Sequence, residues 1–113
     1  MEIRMKIWLE KDGQNLMGEG RIMLLRTIDE TGSINAASEK LGISFRHAWG
    51  QLKKLEKRLG MRLLESRTGG KGGGGSKLTP EARQLLDEFD ALNKDIHNYV
   101  RKKFSRAKLM KNI

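Results

Sequence analysis

The 113-residue chain contains no cysteine. Disulfide scaffolds, cysteine-based zinc fingers and thiol catalysis are therefore excluded. Its two histidines, His47 and His97, stand fifty positions apart, which speaks against a local histidine metal site. Long hydrophobic runs are also missing. The longest unbroken apolar stretch is residues 22–25, whereas a spanning helix needs about 20 such residues. The N-terminus, Met1-Glu-Ile-Arg-Met-Lys6, alternates and lacks the charged head and greasy stretch of a signal peptide. A cytoplasmic protein with no membrane partner is expected. Acidic residues are few: 14 Asp and Glu stand against 23 Lys and Arg, a net charge of +9. An excess of this size favours an anionic partner, whether nucleic acid, an acidic protein or an anionic membrane surface. Hydrophobic residues make up 37% of the chain, enough for one modest core in one domain, residues 1–113.

The positive charge is localised. Residues 1–43 carry 6 basic and 7 acidic groups, and residues 44–79 carry 9 basic and 2 acidic groups. Residues 80–99 are net acidic, and residues 100–113 hold 6 basic groups and no acid. That last tail reads as a solvated face. It lacks the broad apolar face and aromatic anchors of a membrane-surface helix.

Ile3, Met5, Ile7 and Leu9 alternate at strand period. Asp12-Gly13 signals a tight turn, so residues 3–17 are expected to form a β-hairpin. Residues 20–31 read as a helix with Ile22, Leu25 and Ile28 on its inner face and Gly32 as its stop. Ser33 is a plausible N-cap for a short, small-sided helix through Leu41, and Ser44 caps the next, through Leu59. Two helices joined by a short glycine-containing turn, 33–41 and 44–59, form a helix-turn-helix pattern. At 100° per residue, Phe45, Ala48, Trp49, Leu52, Leu55 and Leu59 share one face of the second helix, the expected buried one. Arg46, His47, Gly50, Lys53, Lys54 and Lys57 share the opposite face. Gly50 sits mid-face, where glycine costs up to about 1 kcal/mol against alanine. Either the glycine is merely tolerated or something large approaches closely there. Glu56 falls on the apolar side, for which a structural ion pair is the expected reason.

Residues 62–79 read as a wing: a strand, then Thr68-Gly-Gly-Lys-Gly-Gly-Gly-Gly75 with six glycines among seven positions, then a return. Thr79 and Pro80 supply an N-cap and first-turn proline for a final helix, 80–105. On it Ala82, Leu85, Phe89, Leu92, Ile96 and Tyr99 recur at 3, 4, 3, 4, 3, a heptad seam. Its N-terminal half is expected to pack on its own domain. A seam this long also favours a twin, so Leu85, Phe89, Leu92, Ile96 and Tyr99 are the expected homodimer interface. The fold class is therefore mainly α with a small β component: a winged helix-turn-helix with an N-terminal β-hairpin and a long C-terminal dimerisation helix.

The glycine run fails the P-loop spacing: Gly69 to Gly74 is followed by Gly75-Ser76 where Lys-Ser/Thr is required. No nucleophile with a paired base, carboxylate dyad or metal cluster stands out, so an enzyme is not expected. The same loop suits a DNA backbone, with exposed amides and Lys71 at its tip. Arg46 can bind guanine in bidentate fashion, and His47 and Gln51 can donate to base edges. Lys53, Lys54, Lys57 and Arg58 suit phosphates. Ser33, Ser44, Phe45, Gly50, Arg67, Thr68 and Lys77 complete the expected DNA-binding set.

Residues 31–37, 41–49, 68–75 and 78–80 together resemble the N-terminal DNA-binding domain of ModE, the molybdate-responsive transcription regulators. Residues 55–64 are similar to the broader LysR winged-helix family. The resemblance covers roughly residues 3–92, and the glycine-rich wing is its most specific element. It implies a dimer on a palindromic operator, with 45–59 as recognition helix. The family's C-terminal molybdate-binding domain has no counterpart in a chain of this length, so no cofactor is expected. The leading expectation is a homodimeric, sequence-specific regulator of double-stranded DNA. The alternatives are a non-specific or architectural nucleic-acid binder, or a DNA-binding subunit paired with a separate sensor protein.

Overall fold

The computed structural model describes residues 1–67 and 75–113, with the side chain of Arg67 excepted. In chain order the elements are β1 (Leu9–Lys11), β2 (Gln14–Met17), α1 (Glu19–Thr31), α2 (Ile34–Leu41), α3 (Phe45–Leu59), β3 (Leu64–Arg67), β4 (Gly75–Leu78), α4 (Pro80–Ser105) and α5 (Lys108–Lys111). Two antiparallel strand pairs, β1–β2 and β3–β4, accompany the helices.

The helix starts follow from short side chains that satisfy otherwise orphaned N–H groups. Ser33 accepts from the Ala36 N–H, Ser44 from the His47 N–H and Thr79 from the Ala82 N–H. Each such cap contributes about 1 kcal/mol. The turn between α2 and α3 needs Gly42, which sits at φ 69° in the left-handed region. The chain there folds back on itself, and the Ile43 N–H donates to Ser38 O at 3.0 Å.

The core lies between α1, α2, α3, the inner residues of both strand pairs and the first half of α4. Met17, Leu25, Ile28, Leu55, Leu63 and Leu86 are its largest fully buried side chains. On α4 the core takes Ala82, Leu86 and Phe89, a single stripe at helical spacing. Two ion pairs fix α4 against α1. Arg83 donates to both carboxylate oxygens of Asp29, at 2.9 and 2.7 Å, and Arg26 pairs with Asp90. At 1.5 Å per residue α4 is about 39 Å long, so its second half projects beyond the body. The longest dimension of the chain is accordingly 62 Å against 29 and 23 Å for the others.

The structure corrects three expectations. The hairpin starts at Leu9, and residues 3–8 form no strand. The reason is the length of the partner: β2 has four residues, Leu9 already faces its last one, Met17, and Gly18 then leads into α1. Unpaired, the leading segment packs by side chains, with Ile7 and Leu9 against the core. It passes α4, where His97 Nε2 lies 3.4 Å from the Met5 carbonyl oxygen. The strand expected from Arg62 begins at Leu64. The backbone of Arg62 and Leu63 is already engaged, because their carbonyls accept from the Thr79 hydroxyl and the Thr79 N–H at 2.9 Å each. Finally, Phe89 is 5% exposed within its own domain, so it is a core residue and not a free interface residue.

Candidate nucleic-acid interface

α3 is held along three sides. Toward the core it buries Ala48, Leu52 and Leu55. On one flank Arg21 of α1 donates from Nε to Gln51 Oε1 at 3.0 Å, and Arg58 Nη1 donates to Asn15 O of β2 at 2.6 Å. The Arg21 guanidinium also donates to Asn15 O and Leu16 O, tying α1, β2 and α3 together. Partial burial and the nearby positive charge of Arg58 lower its pKa from the ordinary arginine value. On the other flank Glu56 receives the Leu63 N–H at 2.8 Å and pairs with Lys53 at 3.3 Å. The unexpected acid therefore has two tasks. The ion pair exists, and the same carboxylate satisfies the backbone at the base of the β3–β4 pair.

The fourth side is open. Ser44, Arg46, His47, Lys53, Lys54 and Lys57 are exposed, and Gly50 lies among them. A Cβ added at Gly50 would meet nothing within 4 Å, so no contact among the described residues requires glycine there. Among the described residues, the side chains of Arg46, His47, Lys54 and Lys57 make no hydrogen bond or ion pair. Gln51 is half-buried, its carbonyl oxygen taken by Arg21 and its amide N–H₂ left to donate outward. Lys53 is engaged with Glu56 and also lies 5.6 Å from the Trp49 ring centre.

Phe45 and Trp49, expected to be buried with Ala48 and Leu52, are 49% and 47% exposed. Periodicity correctly groups them on one stripe with Glu56, but that stripe runs along the flank between the core and the open face. Their rings form an apolar margin beside the cationic surface.

The second strand pair stands close to the N-terminus of α2. The Ser76 N–H donates to Gly32 O at 2.7 Å, which puts β4 beside half-buried Ser33. A Cβ on Gly75 would lie 2.8 Å from that same oxygen, so this glycine is required by close backbone approach. Lys77 is exposed on β4 and pairs with Glu65 across the ladder at 3.8 Å. Arg67 closes β3. Thr68 and Lys71, and with them the expected wing tip, lie outside the described residues.

Comparison with known proteins bears on this geometry. A family model described as "Bacterial regulatory helix-turn-helix protein, lysR family" matches residues 20–83. The chain belongs to this family. It is 42% identical over 74 residues to "Transcriptional regulator ModE" of Haemophilus influenzae, covering 66% of this chain and 29% of that protein. It is 39% identical over 72 residues to "DNA-binding transcriptional dual regulator ModE" of Escherichia coli, covering 64% and 28%. The chain thus spans under a third of the length of these curated relatives. Among solved structures, the CbnR_DBD–DNA complex matches with a TM-score of 0.58 at 22% identity, over 78% of this chain and 95% of that one. The fold is that of the winged-helix DNA-binding domains of LysR-type regulators.

The matched residues take in α1, α2, α3, β3, β4 and the start of α4. The N-terminal hairpin and the distal half of α4 lie outside residues 20–83. No helix among the described residues is long and apolar enough to cross a membrane. Sequence reasoning missed Lys11 and Arg21. Both act through the placement of β1–β2 against α3, which local pattern does not encode. The only advance signal was a lysine next to the Asp-Gly turn.

Proposed function

We propose that the chain is a sequence-specific DNA-binding transcription regulator that acts as a homodimer on an inverted repeat. The observation that carries this reading is the open face of α3. A helix capped at Ser44 and fixed on both flanks offers Arg46, His47 and Gln51 beside Lys54 and Lys57, with no competitors among the described residues for the first two and the lysines. Arg46 in the first turn is the residue for a bidentate contact to guanine, and His47 and the Gln51 amide are donors to base edges. Lys53, Lys54, Lys57 and Lys77 suit phosphates, with Ser33 and Ser44 hydroxyls at helix N-termini adding donors. Thr68 and Lys71 of the wing extend the backbone contacts in this reading.

The heptad on α4 divides at the edge of the core. Ala82, Leu86 and Phe89 are consumed within the domain, whereas Leu92 and Tyr99 are 48% and 62% exposed and Leu85, Ile96 and Val100 are half-buried. An exposed continuation of the same seam is suited to a second copy, which buries both stripes at once. Two recognition helices about 34 Å apart would then enter successive major grooves.

Selection of bound sequences from a random duplex library at near-physiological salt tests the reading. An enriched inverted repeat with half-sites one turn apart is expected. The log of affinity should fall against log salt with a slope near −7 to −9, for about 8–10 phosphate contacts per dimer. Binding without any enriched sequence would replace this reading with architectural binding. Light scattering on the free chain should give twice the monomer mass. A monomer would transfer the α4 stripe to a heterologous partner.

A further inference from the structure

A second cationic feature lies beside the face assigned to base reading. β1–β2 is docked on the C-terminal half of α3: Lys11 Nζ donates to Arg58 O at 3.2 Å, and Arg58 donates back to Asn15 O. Between hairpin and helix lies a cleft of about 420 Å³ lined by Lys11, Asp12, Gln14, Lys54, Lys57 and Arg58. Four of these six residues are cations, and among the described residues none of the four is in an ion pair. Asp12 is the single acid, and it too is unpaired among the described residues. It occupies the turn at φ 52°, next to Gly13 at φ 75°. A turn with both central residues at positive φ is rigid and narrow. It holds Lys11 and Asp12 in a fixed place relative to α3.

Position along α3 says what this cleft would meet. Lys57 lies 11 residues beyond Arg46, about 17 Å along the helix axis. The major groove is about 12 Å wide. A helix that enters the groove by its first turns and crosses its width therefore carries Lys57 and Arg58 out of the groove, to the level of the sugar-phosphate backbone. The wing flanks α3 on its Glu56 side and the hairpin on its Arg58 side, so the two strand pairs straddle the helix.

We propose that the N-terminal hairpin is a second backbone grip, and that the cleft between Lys11 and the Lys54–Lys57–Arg58 surface takes a phosphate of the duplex flanking the half-site. The inference rests on the DNA-binding reading above and adds to it an element outside the residues matched by the lysR family model. It gives the hairpin affinity without sequence information, because phosphates are the same at every base pair.

The test uses the full chain and two duplexes. One carries the selected operator with about 10 base pairs, one helical turn, on either side, and the other is trimmed flush to the half-sites. Removal of one phosphate-binding cation should flatten the salt slope by about 0.9, or about five-fold in affinity at 0.15 M salt, and twice that slope change for a dimer with two clefts. Lys11→Gln is expected to weaken the long duplex about 30-fold, to flatten its slope by about 2, and to leave the trimmed duplex unchanged. Asp12→Asn is expected to tighten the long duplex. Asn tolerates the left-handed backbone at this position, and a misfolded variant cannot mimic a gain. Wild-type binding that Lys11→Gln leaves unaltered overturns this inference alone. So does an equal loss on both duplexes, or an Asp12→Asn variant that binds no tighter. A wild-type chain that binds no duplex removes the proposed function and this inference with it.

Discussion

Gly50 sits at the centre of the open face of α3, and replacing it by alanine separates the demands of folding from those of binding. Among the described residues the added Cβ has nothing within 4 Å, so it costs no packing there. It removes the helix-interior penalty of glycine, which is about 0.8–1.0 kcal/mol. With an unfolding entropy near 2.1 cal/mol/K per residue, a domain of this size should gain about 4 °C in Tm. If the face lies against base edges, the same methyl group meets a surface that cannot move aside. Overpacking of a close contact costs about 1–3 kcal/mol, or roughly 5- to 150-fold in Kd. Thermal unfolding followed by circular dichroism, with fluorescence anisotropy on a labelled operator, reads both effects from one preparation. The expected result is a more stable protein that binds DNA less well. A lower Tm would mean that a neighbour occupies the space above Gly50. A higher Tm with unchanged affinity would show that DNA does not approach this face, and the assignment of α3 as the reading helix would fail with it.

The other predictions concern residues whose roles the structure separates. Arg46→Ala should cost about 1–3 kcal/mol on the operator and relax the preference at one base pair, whereas Lys57→Ala should weaken all sequences alike and flatten the salt slope by about 0.9 per contact. Binding of operator and scrambled duplexes compares them, and a uniform loss for Arg46→Ala would remove its base-reading role. Gly75→Ala drives a Cβ to 2.8 Å from Gly32 O. It should destabilise by about 1–3 kcal/mol, and an unchanged Tm would refute the close approach of β4 to the α1–α2 corner. Thr79→Ala deletes both the cap on Ala82 and the hydroxyl donor to Arg62 O. A loss of about 2–3 kcal/mol is expected in chemical denaturation. Thr79→Ser keeps both bonds and should stay within a few tenths of wild type, so equal losses for the two variants would mean that the methyl group, and not the hydroxyl, matters.

The sequence by itself determined where α2, α3 and α4 begin and where α1, α2 and α3 end. Ser33, Ser44 and Thr79 cap the residues three positions ahead, and Gly32, Gly42 and Gly60 close helices in the left-handed region. These are interactions between near neighbours, so local pattern contains them in full. It also determined which charges share the outer face of α3, because helical period fixes the angle between side chains. Tertiary structure decided what covers each face. Phe45 and Trp49 lie on an apolar stripe, yet among the described residues no element comes to cover them. Phe89 and Leu92 obey one heptad, yet the core ends between them. Glu56 looks misplaced until the Leu63 N–H arrives from beyond the end of α3. Lys11 joins the cationic surface only because the hairpin docks beside Arg58, forty-seven positions away. Periodicity gives the direction in which a side chain points. What it meets there depends on segments far along the chain, brought close by burial of a common core.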